Sequence, residues 1–222
     1  MQSKYKALIF DLDGTLLDTL EDLKNSVNKA LKNNGYDISY TYDQAKWLIG
    51  SGTKKLCERS IEKFNPTKEE NEKVFNDFTN FYKEKQLENT IPYPNVKEAL
   101  FRIKQEGYKI CVLSNKTEEN VYILLETLLP EISFDIIRGQ VKHLPKKPDP
   151  TILKMMIEEL KIMNNEVLYI GDSDVDMIVA DKLNIDKVAV TYGYRPIEIL
   201  KQYNPNYIVN DVLEILEIVK NK

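Results

Sequence analysis

Ala7-Leu8-Ile9-Phe10-Asp11-Leu12-Asp13-Gly14-Thr15 is the stretch from which the fold of this chain can be read. Its first four residues are apolar without interruption, as in a short parallel strand buried on both faces. Two carboxylates follow at once. Alternation along an extended backbone points Asp11 and Asp13 the same way, and Gly14 lets the chain turn away sharply. Charge at the end of a buried strand is costly unless it is paired or titrated, so this tip is a candidate site, although Asp and Gly are also ordinary turn residues. The apolar signature returns at residues 110–113, 134–137, 167–170, 188–190 and 207–209. Between these runs the spacing becomes helical, as in Val96, Leu100 and Ile103 before Gly107, or Ile152, Met156, Ile157 and Leu160. Strands alternating with such helices predict right-handed βαβ units, hence an α/β fold with a doubly wound parallel sheet.

Residues 20–86 break the alternation. Leu20, Leu23, Val27 and Leu31 form one helical face, and Val74, Phe75, Phe78, Phe81 and Tyr82 another. The expectation is a Rossmann-like core of residues 1–17 and 89–222, with an inserted helical domain over 18–88. Trp47 and Phe75, Phe78 and Phe81 are expected in the core of that insertion, since aromatic stripes at helical spacing usually pack.

The 222 residues are 42% hydrophobic and 30% charged, enough for a sizeable core under a solvated surface. A net charge of −4 argues against nucleic-acid binding, which favours basic surfaces. No apolar run reaches the roughly 18 residues of a membrane helix, and the start lacks a signal peptide's apolar stretch. Cys57 and Cys111 are too few and too far apart for a disulfide framework. A cytoplasmic protein, monomeric or homodimeric, is expected. The single histidine, His143, excludes a site that needs two.

Three further segments sit at strand ends. Gly171-Asp172-Ser173-Asp174-Val175-Asp176 offers close carboxylates suited to a hard cation. An EF-hand loop would need Gly and Glu where Met177 and Leu183 stand, and a serine hydrolase would need a histidine after Ser173. Ser173 or Asp174 can also cap the following helix. Ser114-Asn115 precedes a helix start near Thr117, a cradle for phosphate. Lys146-Lys147-Pro148-Asp149-Pro150 can hold Lys147 inward as a point charge. Thr191-Tyr192-Gly193 is read as a turn near the rim of the site. Carboxylates around a divalent cation, with a hydroxyl and a lysine, suit attack on phosphorus.

Asp11-Leu12-Asp13-Gly14-Thr15, Ser114-Asn115, Lys147-Pro148-Asp149-Pro150 and Gly171–Asp176 resemble, in order and spacing, the four motifs of the haloacid dehalogenase superfamily. The inserted helices match that superfamily's cap. Asp18-Thr19-Leu20-Glu21-Asp22-Leu23 and Ile49-Gly50-Ser51-Gly52, with Leu56 and Arg59, are most similar to its phosphoglycolate phosphatases.

The resemblance implies Asp11 as nucleophile and Asp13 as acid and base. It implies Mg²⁺ held by Asp11, Asp172 and the backbone carbonyl of Asp13, with Asp176 in support. Ser114 and Lys147 would bind phosphoryl oxygens, with Thr15 and Asn115 beside them. Gly50 and Lys54, with Lys55, are expected to meet a second anionic group of a small phosphorylated metabolite such as 2-phosphoglycolate. A sugar phosphomutase of this type would carry a histidine shortly after the first motif, and positions 18 to 24 contain none. A pyrophosphatase is a further variant, and a catalytically silent binding module the alternative from another class.

Overall fold

The first strand, β1 (Ala7–Phe10), is buried along its whole length, and its alternate side chains serve different faces. Leu8 and Phe10 enter one apolar cluster and Ile9 the other. The structure is a computed structural model and describes residues 3–220. After β1 the chain makes β2 (Leu17–Asp18) and four helices, α1 (Leu20–Asn33), α2 (Tyr42–Ala45), α3 (Thr53–Ile61) and α4 (Lys68–Lys85). It returns through β3 (Ile91–Pro92), which pairs antiparallel with β2. Alternation then resumes with α5 (Val96–Gln105), β4 (Lys109–Thr117), α6 (Glu118–Leu128), β5 (Ile136–Gln140) and α7 (Thr151–Leu160). Next come β6 (Val167–Gly171), α8 (Asp174–Asp181), β7 (Asp186–Val190), α9 (Ile197–Lys201), β8 (Tyr207–Val209) and α10 (Glu214–Lys220).

The main sheet is parallel throughout, in the order β5-β4-β1-β6-β7-β8. The chain builds from β1 to β4 and β5 on one side, then crosses to β6, β7 and β8 on the other. Connections therefore diverge around β1, and the crevice beyond its carboxyl end is the switch point at which such sheets bind ligands. On one face, Val96, Leu100, Val121, Leu125 and Ile215 pack against Leu8, Phe10, Val112 and Ile170. On the other, Ile152, Met156 and Val179 cover Ile9, Cys111 and Tyr169.

The four inserted helices have their own apolar cluster. Leu23, Val27 and Leu31 of α1 meet Val74, Phe78 and Tyr82 of α4, with Leu56 of α3 between them. Each fully buried Leu, Val or Phe there contributes about 1.5–3 kcal/mol. Thr67 and Glu70 cap α4 reciprocally, satisfying two backbone donors at its first turn. Tyr194, from the loop after β7, inserts into the same cluster and ties the insertion to the sheet.

The helical insertion and all six runs of the parallel sheet appear as read, with three corrections. The strand β4 continues to Thr117 rather than ending at 113, because the polar side chains after Leu113 are buried in the site. The strand β5 starts at Ile136 and runs to Gln140. Trp47 is 54% exposed rather than packed in the core; its ring lies 5.5 Å from the Arg195 guanidinium. Phe78 is buried as expected, while Phe75 and Phe81 pack at the cluster's edge.

Candidate active site

The exits of β1, β4 and β6 converge on one cleft, lined by Asp11, Asp13, Ser114, Asn115 and Asp172 from the core and by residues of the 49–56 segment. Carboxylate oxygens of Asp11, Asp172 and Asp176 all lie within 4.8 Å of one another. Burial, then Asp176, raises the Asp11 carboxyl well above the usual range despite the opposing pull of Lys147. Burial and then Asp176 push Asp172 up to about 7, while the donating backbone N–H of Tyr194, 2.7 Å away, acts in the opposite sense. This concentration of buried anions, with oxygen as the donor type, fits a hard divalent cation such as Mg²⁺.

The three carboxylates are not equivalent. Both oxygens of Asp176 are occupied: Oδ1 accepts from Lys147 Nζ at 2.6 Å and Tyr169 Oη at 3.2 Å, and Oδ2 accepts from Ser173 N and Oγ. Ser173 and Asp176 thereby form the capping box of α8. Asp176 is accordingly suited to hold Lys147 and the loop, with Asp11 and Asp172 better placed as metal ligands. Asp11 Oδ1 accepts from Leu12 N at 2.7 Å and forms an ion pair with Lys147 Nζ at 2.9 Å.

Gly14 makes this proximity possible. Its φ is +84°, and a Cβ there would lie 2.3 Å from Asp172 Oδ2. Gly14→Ala should therefore displace Asp172 and strain the turn, costing about 1–3 kcal/mol and weakening metal binding. A variant with unchanged melting temperature and unchanged Mg²⁺ activation would contradict this account.

Lys147 is buried between Asp11 and Asp176. Burial alone would lower its ammonium, but the two carboxylates outweigh that and hold it well above the usual value. Asn115 donates to the carbonyls of Lys147 at 2.9 Å and of Gly50 at 3.0 Å, joining β4 to two loops. Ser114 is buried at the end of β4, its Oγ accepting from Lys116 N. Thr15 Oγ1 lies 3.4 Å from Asp172 Oδ1 and belongs to the support of the carboxylate cluster. Gly50, Gly52 and Thr53 line the cleft at the start of α3.

Lys54 requires a correction. It is absent from the cleft lining and forms an exposed ion pair with Glu72 at 2.7 Å. Lys55 pairs with Glu58 one turn along α3. Helical phase decides this: from Thr53 onward, the cleft-facing positions are Thr53 and Leu56. His143 lies exposed in its loop, as expected.

The cations that do line the cleft are Lys116 and Arg195, neither of them in the sequence reading. Lys116 Nζ lies 3.1 Å from Asp13 Oδ1. Arg195 donates to the carbonyls of Lys46 at 2.5 Å and Ile49 at 2.6 Å, strapping the insertion to the loop after β7. A signal for Lys116 existed: it stands two residues after Ser114, the spacing that shares a strand face. Arg195 had only the nearby turn at 191–193 to suggest it.

A doubly wound parallel α/β core that carries an aspartate pair, a buried lysine and a carboxylate cluster at its switch point is the class that fold and geometry define together. The chain belongs to the haloacid dehalogenase-like hydrolase family, whose model matches residues 8–190. It is 30% identical over 220 residues to a phosphoglycolate phosphatase of Colwellia psychrerythraea, covering 97% of each chain. It is 31% identical over 219 residues to a phosphoglycolate phosphatase of Psychrobacter arcticus, covering 95% of this chain and 94% of the other. Among solved structures, a predicted phosphoglycolate phosphatase from Haemophilus somnus superposes with a TM-score of 0.90 at 29% identity, over 98% and 99% of the two chains.

Proposed function

We propose that this protein is a Mg²⁺-dependent phosphatase that hydrolyses a small phosphate monoester, 2-phosphoglycolate being the favoured candidate, through an aspartyl-phosphate on Asp11. The observation that carries the reading is the pairing of Asp11, held by Lys147, with Asp13, held separately by Lys116 in the same cleft. An anionic nucleophile and a proton donor two residues apart are what a two-step transfer from an ester requires. Residues 18–88 act as a cap in this reading, and Gly50 and Thr53 border the leaving group.

In the first step a carboxylate oxygen of Asp11 forms a bond to phosphorus. The ester P–O bond breaks, and the departing oxygen takes the proton of Asp13. In the second, Asp13 takes a proton from water as the water oxygen bonds to phosphorus, and the Asp11–phosphorus bond breaks to release phosphate. Splitting the displacement makes each barrier smaller. Lys147 and Ser114 would hold phosphoryl oxygens, with Asn115 fixing the loop that carries Lys147. Asp11, Asp172 and the Asp13 carbonyl would hold Mg²⁺, which when bound offsets repulsion between carboxylate and phosphate. For a carboxylated substrate, Arg195 and Lys116 supply the positive field in the cleft that Lys54 and Lys55 do not.

A screen of phosphorylated metabolites for released phosphate tests the reading, and 2-phosphoglycolate should rank at or near the top in kcat/KM. Failure to hydrolyse any phosphate monoester with Mg²⁺ present would overturn it. Exhaustive chelation should abolish turnover and Mg²⁺ should restore it. Ca²⁺ should substitute poorly, because its larger and looser coordination misplaces the phosphoryl group. Full activity in a chelated preparation free of metal by elemental analysis would contradict the metal assignment.

A further inference from the structure

Asp13 is held by donors from two different parts of the molecule. Thr19 Oγ1, just before α1, donates to Oδ1 at 2.6 Å, and Lys116 Nζ lies 3.1 Å from the same oxygen. Lys116 reaches in the other direction to the insertion. Its Nζ donates to the Tyr82 hydroxyl at 2.8 Å and lies 4.6 Å from the centre of that ring. The Lys116 side chain is 1% exposed. Tyr82 is buried on the inner face of α4, stacked on Phe78 with ring centres 5.6 Å apart.

A tyrosine at that position could have been a phenylalanine as far as the apolar cluster is concerned. A buried hydroxyl is costly unless it meets a partner, and here the partner is an ammonium of the core that also touches Asp13. Lifting the insertion would withdraw the hydroxyl and leave Lys116 with half its buried partners and a path to water. A Lys116 ammonium freed on that side can turn toward water, which loosens the contact that fixes the Asp13 carboxyl against the β4 side of the cleft.

We infer that Tyr82 and Lys116 are positioning residues that make the placement of Asp13 depend on the seating of the helical insertion on the core. Proton transfer to the leaving oxygen is then competent only when α4 is docked and the cleft is closed to water. The inference rests on the proposed role of Asp13 as acid, and it assigns no contact between Tyr82 and substrate.

Leaving-group dependence separates this role from simple packing. Phenyl phosphate and p-nitrophenyl phosphate have similar shape, but p-nitrophenolate departs without needing a proton and phenolate does not. The parameter to compare is kcat/KM, which reports transfer to Asp11 and is blind to later hydrolysis. Tyr82→Phe, which keeps the stacked ring, should lower kcat/KM for phenyl phosphate about two- to tenfold more than for p-nitrophenyl phosphate, the range of one lost hydrogen bond. Lys116→Met should show the same pattern with a larger ratio. In an Asp13→Asn background, Tyr82→Phe should add no further loss, because its effect passes through Asp13.

Equal losses on the two esters, or a full additional loss in the Asp13→Asn background, would overturn the inference and leave Tyr82 a packing residue. The parent reading is checked in the same experiment. If Asp13→Asn is itself strongly sensitive to the leaving group while Tyr82→Phe is not, the coupling fails and the acid role of Asp13 stands. If Asp13→Asn is insensitive as well, both fall.

Discussion

Asp11→Asn is expected to lower turnover at saturating Mg²⁺ by about 10³-fold or more, while leaving the metal-free protein at least as stable as the wild type. The amide keeps the shape of the side chain but cannot attack phosphorus as an anion. Burial and the neighbouring Asp176 raise the Asp11 carboxyl, so its charged form weakens the folded state, and a neutral residue relieves that cost. Lys147 keeps Asp176 as a partner at 2.6 Å in the variant. Each kcal/mol relieved should raise the melting temperature by about 2–4 °C. Paired assays of phosphate release and thermal unfolding without metal check both halves. More than a tenth of wild-type activity would reject Asp11 as nucleophile. A lowered melting temperature would reject the account of strain among the carboxylates.

Lys147→Met should have the largest effect on stability. The ammonium is the shared partner of Asp11 and Asp176, at 2.9 and 2.6 Å, in a site with almost no exposure. Removing one partner from a buried ionic cluster costs about 3–5 kcal/mol, which for a chain of this length is about 6–20 °C in melting temperature. Turnover should fall with it, since the restraint on Asp11 is lost together with the phosphoryl contact proposed for Lys147. In the proposed reading Mg²⁺ would sit beside the carboxylates left unpaired, so added Mg²⁺ should recover more melting temperature in the variant than in the wild type. A variant that melts within a degree or two of the wild type would show that Lys147 is not the charge that organises the site.

The parts of the site that were legible in the sequence are those where a local pattern has one structural meaning. An apolar run followed at once by Asp11 and Asp13 can only place those carboxylates at the end of a buried strand, and β1 does so. The same logic located Asp172 after β6 and Ser114 on β4. Lys147 carried a weaker signal, a lysine pair before proline, and gained its meaning from its neighbours. Lys54 was misread because two lysines after a glycine turn look alike in one dimension. Only the phase of α3 separates a residue facing the cleft, Thr53, from one facing Glu72.

Sequence alone determined the alternation of strands and helices, the helical insertion after the first strand, and the chemical character of the strand tips. These are consequences of hydrophobic period and of backbone-permissive residues, and both act over a few neighbouring positions. Tertiary structure decided which cation serves which oxygen acceptor. Lys116 is paired with Asp13, Lys147 with Asp11 and Asp176, and Arg195 with the carbonyls of Lys46 and Ile49. Those partners lie about a hundred or more residues apart along the chain, except for Asp176, which is 29 from Lys147. A lysine side chain is long and flexible, and in water its charge interacts weakly with any one partner. Its partner becomes specific only when the fold excludes water and brings one carboxylate within reach, which requires the sheet order and the docked insertion to be in place.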